Sequence, residues 1–213
     1  MKKDIEYYKM PPENIHELIH FIINENHLHH REIVTAEDIN STRQILCAEE
    51  KQYFNSHIFV AMSYNIICGS IRIFQKTPTQ ILPLEKIFNI NVEALVNAGT
   101  PIYHIGRFAV SKGADKRGFH IFKTLIALAL QVVQQGHRGI VFAECDVKLL
   151  RTIRLLGIEA EAIGKPTLYL GSETVPIKLP WAGYQIFLNK NKDILFNELR
   201  IFNLELPDIN VSP

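Results

Sequence analysis

Lys112, Lys116 and Arg117 share one short turn with Gly113 and Gly118, in the stretch SKGADKRGFH. Cations beside glycines suit a phosphate, because glycine lets the anion approach the backbone and the charges hold it. The turn also opens a helix: from Gly118 onward Ile121, Leu125, Leu128 and Val132 recur three or four apart. The free N–H groups and partial positive charge of a helix start add to the same attraction. The expectation is a site for a ligand carrying phosphate or pyrophosphate. A solvated loop in an ordinary βα unit is the other reading, since the spacing matches neither a dinucleotide fingerprint nor a P-loop.

Immediately before the turn, PIYHIGRFAV predicts a strand over about 102–110. Alternation puts Ile102, His104, Gly106 and Phe108 on one face and Tyr103, Ile105, Arg107 and Ala109 on the other. Arg107 and Arg72, the latter in IRIFQK, both stand inside apolar strands. A charge there is costly unless it is paired or faces a cavity. Either they bind an acceptor carboxylate in bidentate fashion, or they form structural ion pairs with Glu144, Glu85 or Asp115. Glu144 closes the next apolar strand, GIVFAE, and Asp146 is placed to cap the helix after it.

The elements that must position these groups follow from the rest of the chain. A helix opens at Pro11–Pro12–Glu13, with Ile15, Leu18, Ile19 and Ile22 inward, and a loop is expected over His27–Arg31. A second helix runs from Thr35 to about Tyr53. Residues 57–62 and 66–75 pair as a hairpin around Ser63–Tyr64–Asn65. Short helices fall within 84–97. After the central strand and helix come a buried strand at 139–144, parallel to the central one, and a helix at 147–156. Short strands are expected at 158–163, 167–170 and 174–179, then a closing helix at 191–203. No Gly-, Ser- or Pro-rich linker interrupts the order, so residues 1–213 read as a single three-layer α/β/α domain with a mixed sheet.

Composition narrows the function classes. Of 213 residues 47% are hydrophobic, enough for a sizeable core. The 23 basic and 22 acidic residues leave a formal net charge of +1, which gives no electrostatic case for nucleic acid. MKKDIEYYKM has no apolar run behind it, so neither a secretory leader nor a transmembrane segment is expected. Cys47, Cys68 and Cys145 are scattered and odd in number, which fits reduced, mostly buried thiols in a cytoplasmic protein. His27, His29 and His30 lie together, but no cysteine or carboxylate spacing completes a zinc pattern, and no metal is expected.

The order of elements, with a basic turn between central strand and long helix, resembles the GNAT acyltransferase fold. IGRFAV resembles the Ser-Arg-Phe-Ala-Val strand of acyl-homoserine-lactone (autoinducer) synthases and long-chain N-acyl amino acid synthases. CGSIRIF resembles their Gly-x-x-Arg-Leu strand, with Gly69 and Arg72 aligned, and ILPLEKIF their Leu-Pro-Leu-x-x-x-Phe stretch. Gly157, Gly164, Pro166 and Tyr169-Leu170-Gly171 stand where those families carry a helix-ending glycine, a Gly-Pro pair and Tyr-Leu-Gly. The likeness covers roughly residues 56 to 180.

What the resemblance implies is N-acyl transfer from acyl-coenzyme A or acyl-carrier protein, with an acyl group expected to be long, and with the carrier as substrate rather than bound cofactor. It puts the carrier's phosphates on the turn, so the donor site would comprise Phe108, Val110, Lys112, Lys116, Arg117, Gly118, Phe119 and His120, the last standing where a small residue is usual. His104 occupies the place of a glutamate in the lactone synthases and is the candidate base, with Glu144 as the alternative; a satisfied core histidine is the other reading of His104. Arg72 and Arg107 would hold the acceptor. The lactone synthases' Arg-Phe-Trp and acidic cluster, which serve S-adenosylmethionine, have no clear counterpart, so the implied acceptor is an amino acid or another amine. Phe108, Ile126 and Leu130 would line an acyl tunnel or pack the core. Lactone synthesis, small-molecule acetylation and carrier binding without catalysis remain the alternatives.

Overall fold

The strand predicted at 102–110 is the middle of the molecule, and everything else is arranged about it. The computed structural model describes residues 5–30, 36–53, 55–115, 119–136, 138–169, 172–196 and 202–203. In chain order it contains β1 (Glu6–Met10), α1 (Ile15–His30), α2 (Ala36–Glu50), β2 (His57–Ser63), β3 (Ile66–Gln75), α3 (Pro83–Phe88) and β4 (Ile102–Val110). There follow α4 (His120–Gln135), β5 (Ile140–Asp146), α5 (Val147–Leu155), β6 (Glu161–Ala162), β7 (Thr167–Tyr169), β8 (Ser172–Leu179), α6 (Trp181–Lys190), α7 (Lys192–Phe196) and β9 (Phe202–Asn203).

The strands form one mixed sheet in the order β6-β8-β5-β4-β3-β2-β1-β9, with β7 on β8. β2 and β3 are the expected hairpin; Tyr64 and Asn65 take positive φ of 52° and 60°, as a two-residue hairpin turn that follows the sheet's twist requires. β5 runs parallel to β4, joined by the crossover helix α4. Helices cover both faces, which gives the three layers. α4 buries Leu125, Ile126 and Leu130 against Ile71, Tyr103, Ile105, Val141 and Ile177, with α5 and α6 on the same side. Each such aliphatic is worth about 1.5–3 kcal/mol when fully buried. Gly69 makes the approach possible, since a Cβ there would stand 2.9 Å from Ile121 and 3.0 Å from Leu125. On the other face α1 packs Leu18, Phe21 and Ile22 onto Met10, Ile58 and Val60, while Leu82, Leu84 and Val92 cover Phe74, Ile102 and Phe142.

Several expectations need correction. The start of the chain is a strand, β1, paired antiparallel to β2. α1 continues through His30 instead of stopping before His27. The strand expected at 158–163 shrinks to two residues, because Ile158 and Ala160 bury their side chains in the core outside any ladder. The closing helix is displaced towards the N-terminus: Trp181, Tyr184, Phe187 and Leu188 define α6 directly after Pro180. α7 follows it, and Phe202–Asn203 pairs parallel to β1. Thr35, the expected cap of α2, lies outside the described residues.

Candidate active site

The site begins where two strands part. β4 and β5 pair from Ile102↔Ile140 to Ile105↔Ala143 and no further, while β5 continues beside β8 to Asp146↔Thr174. Past Ile105 that edge of β4 has no partner among the described strands. A cavity of about 160 Å³ occupies the gap, with Gly106, Arg107 and Phe108 on one wall and Ala143, Glu144, Cys145 and Asp146 on the other.

β4 changes phase at the same point. Ser70 pairs with Ala109 and Arg72 with Gly106, so Ile71 alone faces both Arg107 and Phe108: a β-bulge. Arg107 absorbs it with φ 51°, in the left-handed region, and the Ser70 hydroxyl donates to its carbonyl at 2.8 Å. A non-glycine residue there carries strain of about 1–2 kcal/mol. The bulge overturns the regular alternation expected for this strand. Arg107 does not lie opposite His104 but joins its side of the sheet, Phe108 turns to Phe122 of α4 at 4.7 Å between ring centroids, and Ala109 joins the α1 side.

On the α1–α2 side four charges are locked together. Arg72, 1% exposed, donates to both carboxylate oxygens of Glu50 through Nη1, and its guanidinium lies 4.9 Å from the ring centre of Tyr53 and 5.1 Å from that of Phe74. Arg107 donates from Nε to Glu50 at 2.7 Å and from Nη2 to Glu49 at 2.8 Å. Burial pushes the Glu50 carboxyl up, but Arg72 and Arg107 outweigh it and hold the group below the usual carboxylate range. Burial works likewise against the charge of Arg107; Glu50 and Glu49 overcome it, and its pKa is raised. The partners are thus Glu49 and Glu50 at the end of α2, not the expected Glu144, Glu85 or Asp115.

His104 and Glu144, read as alternative bases, touch. His104 is fully buried, and its Nε2 lies 2.8 Å from Glu144 Oε2. Its Nδ1 has no hydrogen-bond partner among the described residues. With the proton on Nε2 the imidazole donates to the carboxylate and fixes it. Glu144 is 14% exposed and lines the cavity, which His104 does not. Gly106 leaves the room for this, because a Cβ there would stand 3.0 Å from His104 Cε1 and 3.2 Å from Arg72 Nη2.

Cys145 also faces the cavity. Burial first, then the carboxylates of Asp146 and Glu144, pushes its thiol up to about 12, so it remains protonated at neutral pH and is no nucleophile. Tyr169 completes the polar rim. Burial and then Glu49 raise its phenol, with Arg107 opposing.

Of the residues expected to meet the donor, Phe108, Val110 and Phe119 line a second cavity of about 540 Å³ that shares Phe108, Asp146, Leu149 and Ser172 with the first. Lys112 is exposed in the turn, and His120 is the first residue of α4. Lys116, Arg117 and Gly118 lie outside the described residues. The helix start is already partly occupied, because the Asp115 carboxylate accepts the Phe122 N–H at 3.0 Å. Asp146 caps α5 through the Leu149 N–H, as expected. Ile126 lines the first cavity, whereas Leu130 is a core residue. Glu49, Glu50, Asp115 and the position of Tyr169 were not among the site residues expected from sequence. The acidic pair sits in AEEKQ at a helix end, which reads locally as solvated surface.

No curated protein sequence matches the chain significantly. Among solved structures, the fold is similar to that of FeeM, an N-acyl amino acid synthase from uncultured soil microbes, with a TM-score of 0.66 and 15% identity over 91% of this chain and 98% of that one. It is similar to the coenzyme A-dependent acyl-homoserine lactone synthase BjaI, with a TM-score of 0.58 and 18% identity over 96% and 95%. An acetyltransferase of the GNAT family from Staphylococcus aureus Mu50 has a TM-score of 0.53 and 13% identity over 83% and 98%. The fold is therefore GNAT-like, as the sequence resemblance implies. The profile of the family described as N-acyl amino acid synthase FeeM matches residues 26–176, well over half the sequence, including the bulged strand, Glu50, Arg72 and Glu144. The chain belongs to that family and is an acyltransferase.

Proposed function

We propose that the chain transfers an acyl group from a phosphopantetheine thioester, on coenzyme A or a carrier protein, to the amine of an amino acid or similar acceptor across the β4–β5 gap. The observation that carries this reading is Glu144, lining the cavity in the gap with its carboxylate held by His104 at 2.8 Å. The carrier arm lies over Phe108, Val110 and Phe119, with its phosphates on Lys112, Lys116, Arg117, Gly118 and the start of α4 at His120. The acceptor approaches from the α1–α2 side. Arg107 meets its carboxylate there, and Arg72 acts through Glu50. Glu144 removes one proton from the acceptor ammonium, and the nitrogen attacks the thioester carbonyl. Backbone N–H groups on the unpaired edge of β4 stabilise the oxyanion. Collapse breaks the C–S bond, and the nitrogen's second surplus proton ends on the departing thiolate. His104 is then a positioning residue for the base.

Glu144→Gln tests the reading, with thiol release followed from acyl-coenzyme A and from acyl-carrier protein over a panel of amino acids. The expected result is a fall in kcat of about 10²–10⁴-fold with little change in KM, because a base acts in the transition state. A variant with wild-type kcat on the preferred pair would overturn Glu144 as the base.

A further inference from the structure

The ionic groups at the gap do not balance. Arg72, Arg107, Glu49 and Glu50 neutralise one another. Glu144 and Asp146 bring two further carboxylates in the cavity wall, where Arg107 is the one cation among the described residues. The adjoining cavity repeats the bias, with Glu25 and Glu173 against Lys148. The chain as a whole carries a net +1, so the acid surplus is local. The hydrogen bonds show where it can be used. Glu49 is bound to Arg107 through Oε2, Glu144 to His104 through Oε2, and Asp146 to the Leu149 N–H through Oδ1. Each keeps its other carboxylate oxygen unbonded among the described residues. Glu49 is the open end of the network, 18% exposed against 3% for Glu50. Tyr169 stands among the same charges: burial raises its phenol, then Glu49, with Arg107 opposing and Glu144 adding. An aromatic ring among carboxylates suits a cation as well.

An acceptor on the proposed path spends Arg107 on its carboxylate and Glu144 on its reacting amine. Glu49 is then left with a free oxygen and a guanidinium it must share. Resting on the acyl-transfer reading above, we infer that Glu49 selects the acceptor: the enzyme acylates an amino acid whose side chain carries a cation, and Glu49 binds that cation through Oε1. The same surplus of carboxylates repels an acidic side chain.

The test compares lysine with norleucine, which has the same carbon chain without the terminal ammonium, and with glutamate. Thiol release is followed from acyl-coenzyme A and from acyl-carrier protein. Wild-type kcat/KM should be about ten- to a hundredfold higher for lysine than for norleucine, the worth of one hydrogen bond between charged groups, and lowest for glutamate. Glu49→Gln should bring the lysine-to-norleucine ratio close to one, mainly through the KM for lysine. Glu49→Asp keeps the charge and should keep part of the preference. A merely structural Glu49 would slow both substrates and leave the ratio as it was, and a preference that survives Glu49→Gln overturns Glu49 as its source. Should the variants fail to fold, the wild-type ratio and its decline with added salt still decide. Norleucine equal to or better than lysine overturns the inference alone. No thiol release with any of the three, or with the wider amino-acid panel, on either donor brings down the acyl-transfer reading, and the inference with it.

Discussion

On the α1–α2 side of the gap, Arg72, Arg107, Glu49 and Glu50 form a buried ion network that is neutral as a group. On the α4–α5 side of the same sheet, Ile126, Ile153 and Ile177 give the cavity an apolar wall that belongs to the main core. The first side is costly to build, because every ion must be desolvated, and a buried ion pair repays that only through good geometry. The second contributes burial energy like any core. The difference teaches what each side is for. On the proposed function, the polar side orders the surroundings of the acceptor, and the apolar side supplies stability and one wall of the binding volume. The two should therefore respond to substitution in different ways.

The largest expected effect is on folding. Glu50→Gln leaves the guanidinium of Arg72 buried without a full counter-charge, and should cost about 3–5 kcal/mol in urea unfolding. Replacing both partners by apolar residues, Arg72→Met with Glu50→Leu, should recover most of the loss, since Arg107 keeps Glu49. A single substitution costing under about 1 kcal/mol would mean the network is not the rigid unit described. A pH dependence accompanies it. The folded pKa of Glu50 is depressed, so its contribution is complete above the unfolded value of about 4.3 and disappears as pH falls through the lower folded value. Acid titration of stability should show that component in the wild type and lack it in Glu50→Gln.

His104→Ala comes next. It removes one charge-assisted hydrogen bond, of about 1.5–3 kcal/mol, so kcat should fall roughly ten- to a hundredfold, less than for Glu144→Gln. Gln at 104 should restore part of the rate by donating an amide N–H to Glu144. A purely structural His104 would instead lower the melting temperature and leave the kcat of the folded enzyme unchanged. The smallest effect concerns Asp115. Its carboxylate shares the α4 terminus with the proposed phosphate site, so Asp115→Asn should tighten coenzyme A binding by about 0.3–1 kcal/mol at low salt. Raising the salt should erase that gain. Weaker binding in the variant would mean Asp115 orders the turn more than it repels the ligand.

Much of this was legible in the sequence because it is local. The strand at 102–110, the helix beyond the basic turn, the parallel strand at 140 and the hairpin at Tyr64–Asn65 follow from periodicity and turn residues. The bulge was not read, although two signs of it were present. Regular alternation would have put Arg107 on the α4 face with Tyr103 and Ile105, an unpaired charge in the apolar core, and Gly106 stood beside it, as glycine often does at a bulge. The ion network was invisible for another reason: Glu50 and Arg107 are 57 residues apart, and nothing in either local pattern names the other. His104 and Glu144 were both picked out, but only their contact showed which of them faces the cavity.

The bulge at Arg107 also behaves like a frameshift. Upstream of it β4 presents even-numbered side chains to the α1–α3 side; downstream it presents odd-numbered ones. One residue is the whole difference between the two frames. Deleting Arg107 would restore a regular strand and leave Phe108, Ala109 and Val110 facing as they do now, whereas straightening the strand with Arg107 kept would swap every side chain from there to Val110 across the sheet. Grafts and insertions elsewhere in β4 should be planned by parity: two residues at a time preserve its facing, and one does not unless a bulge absorbs it.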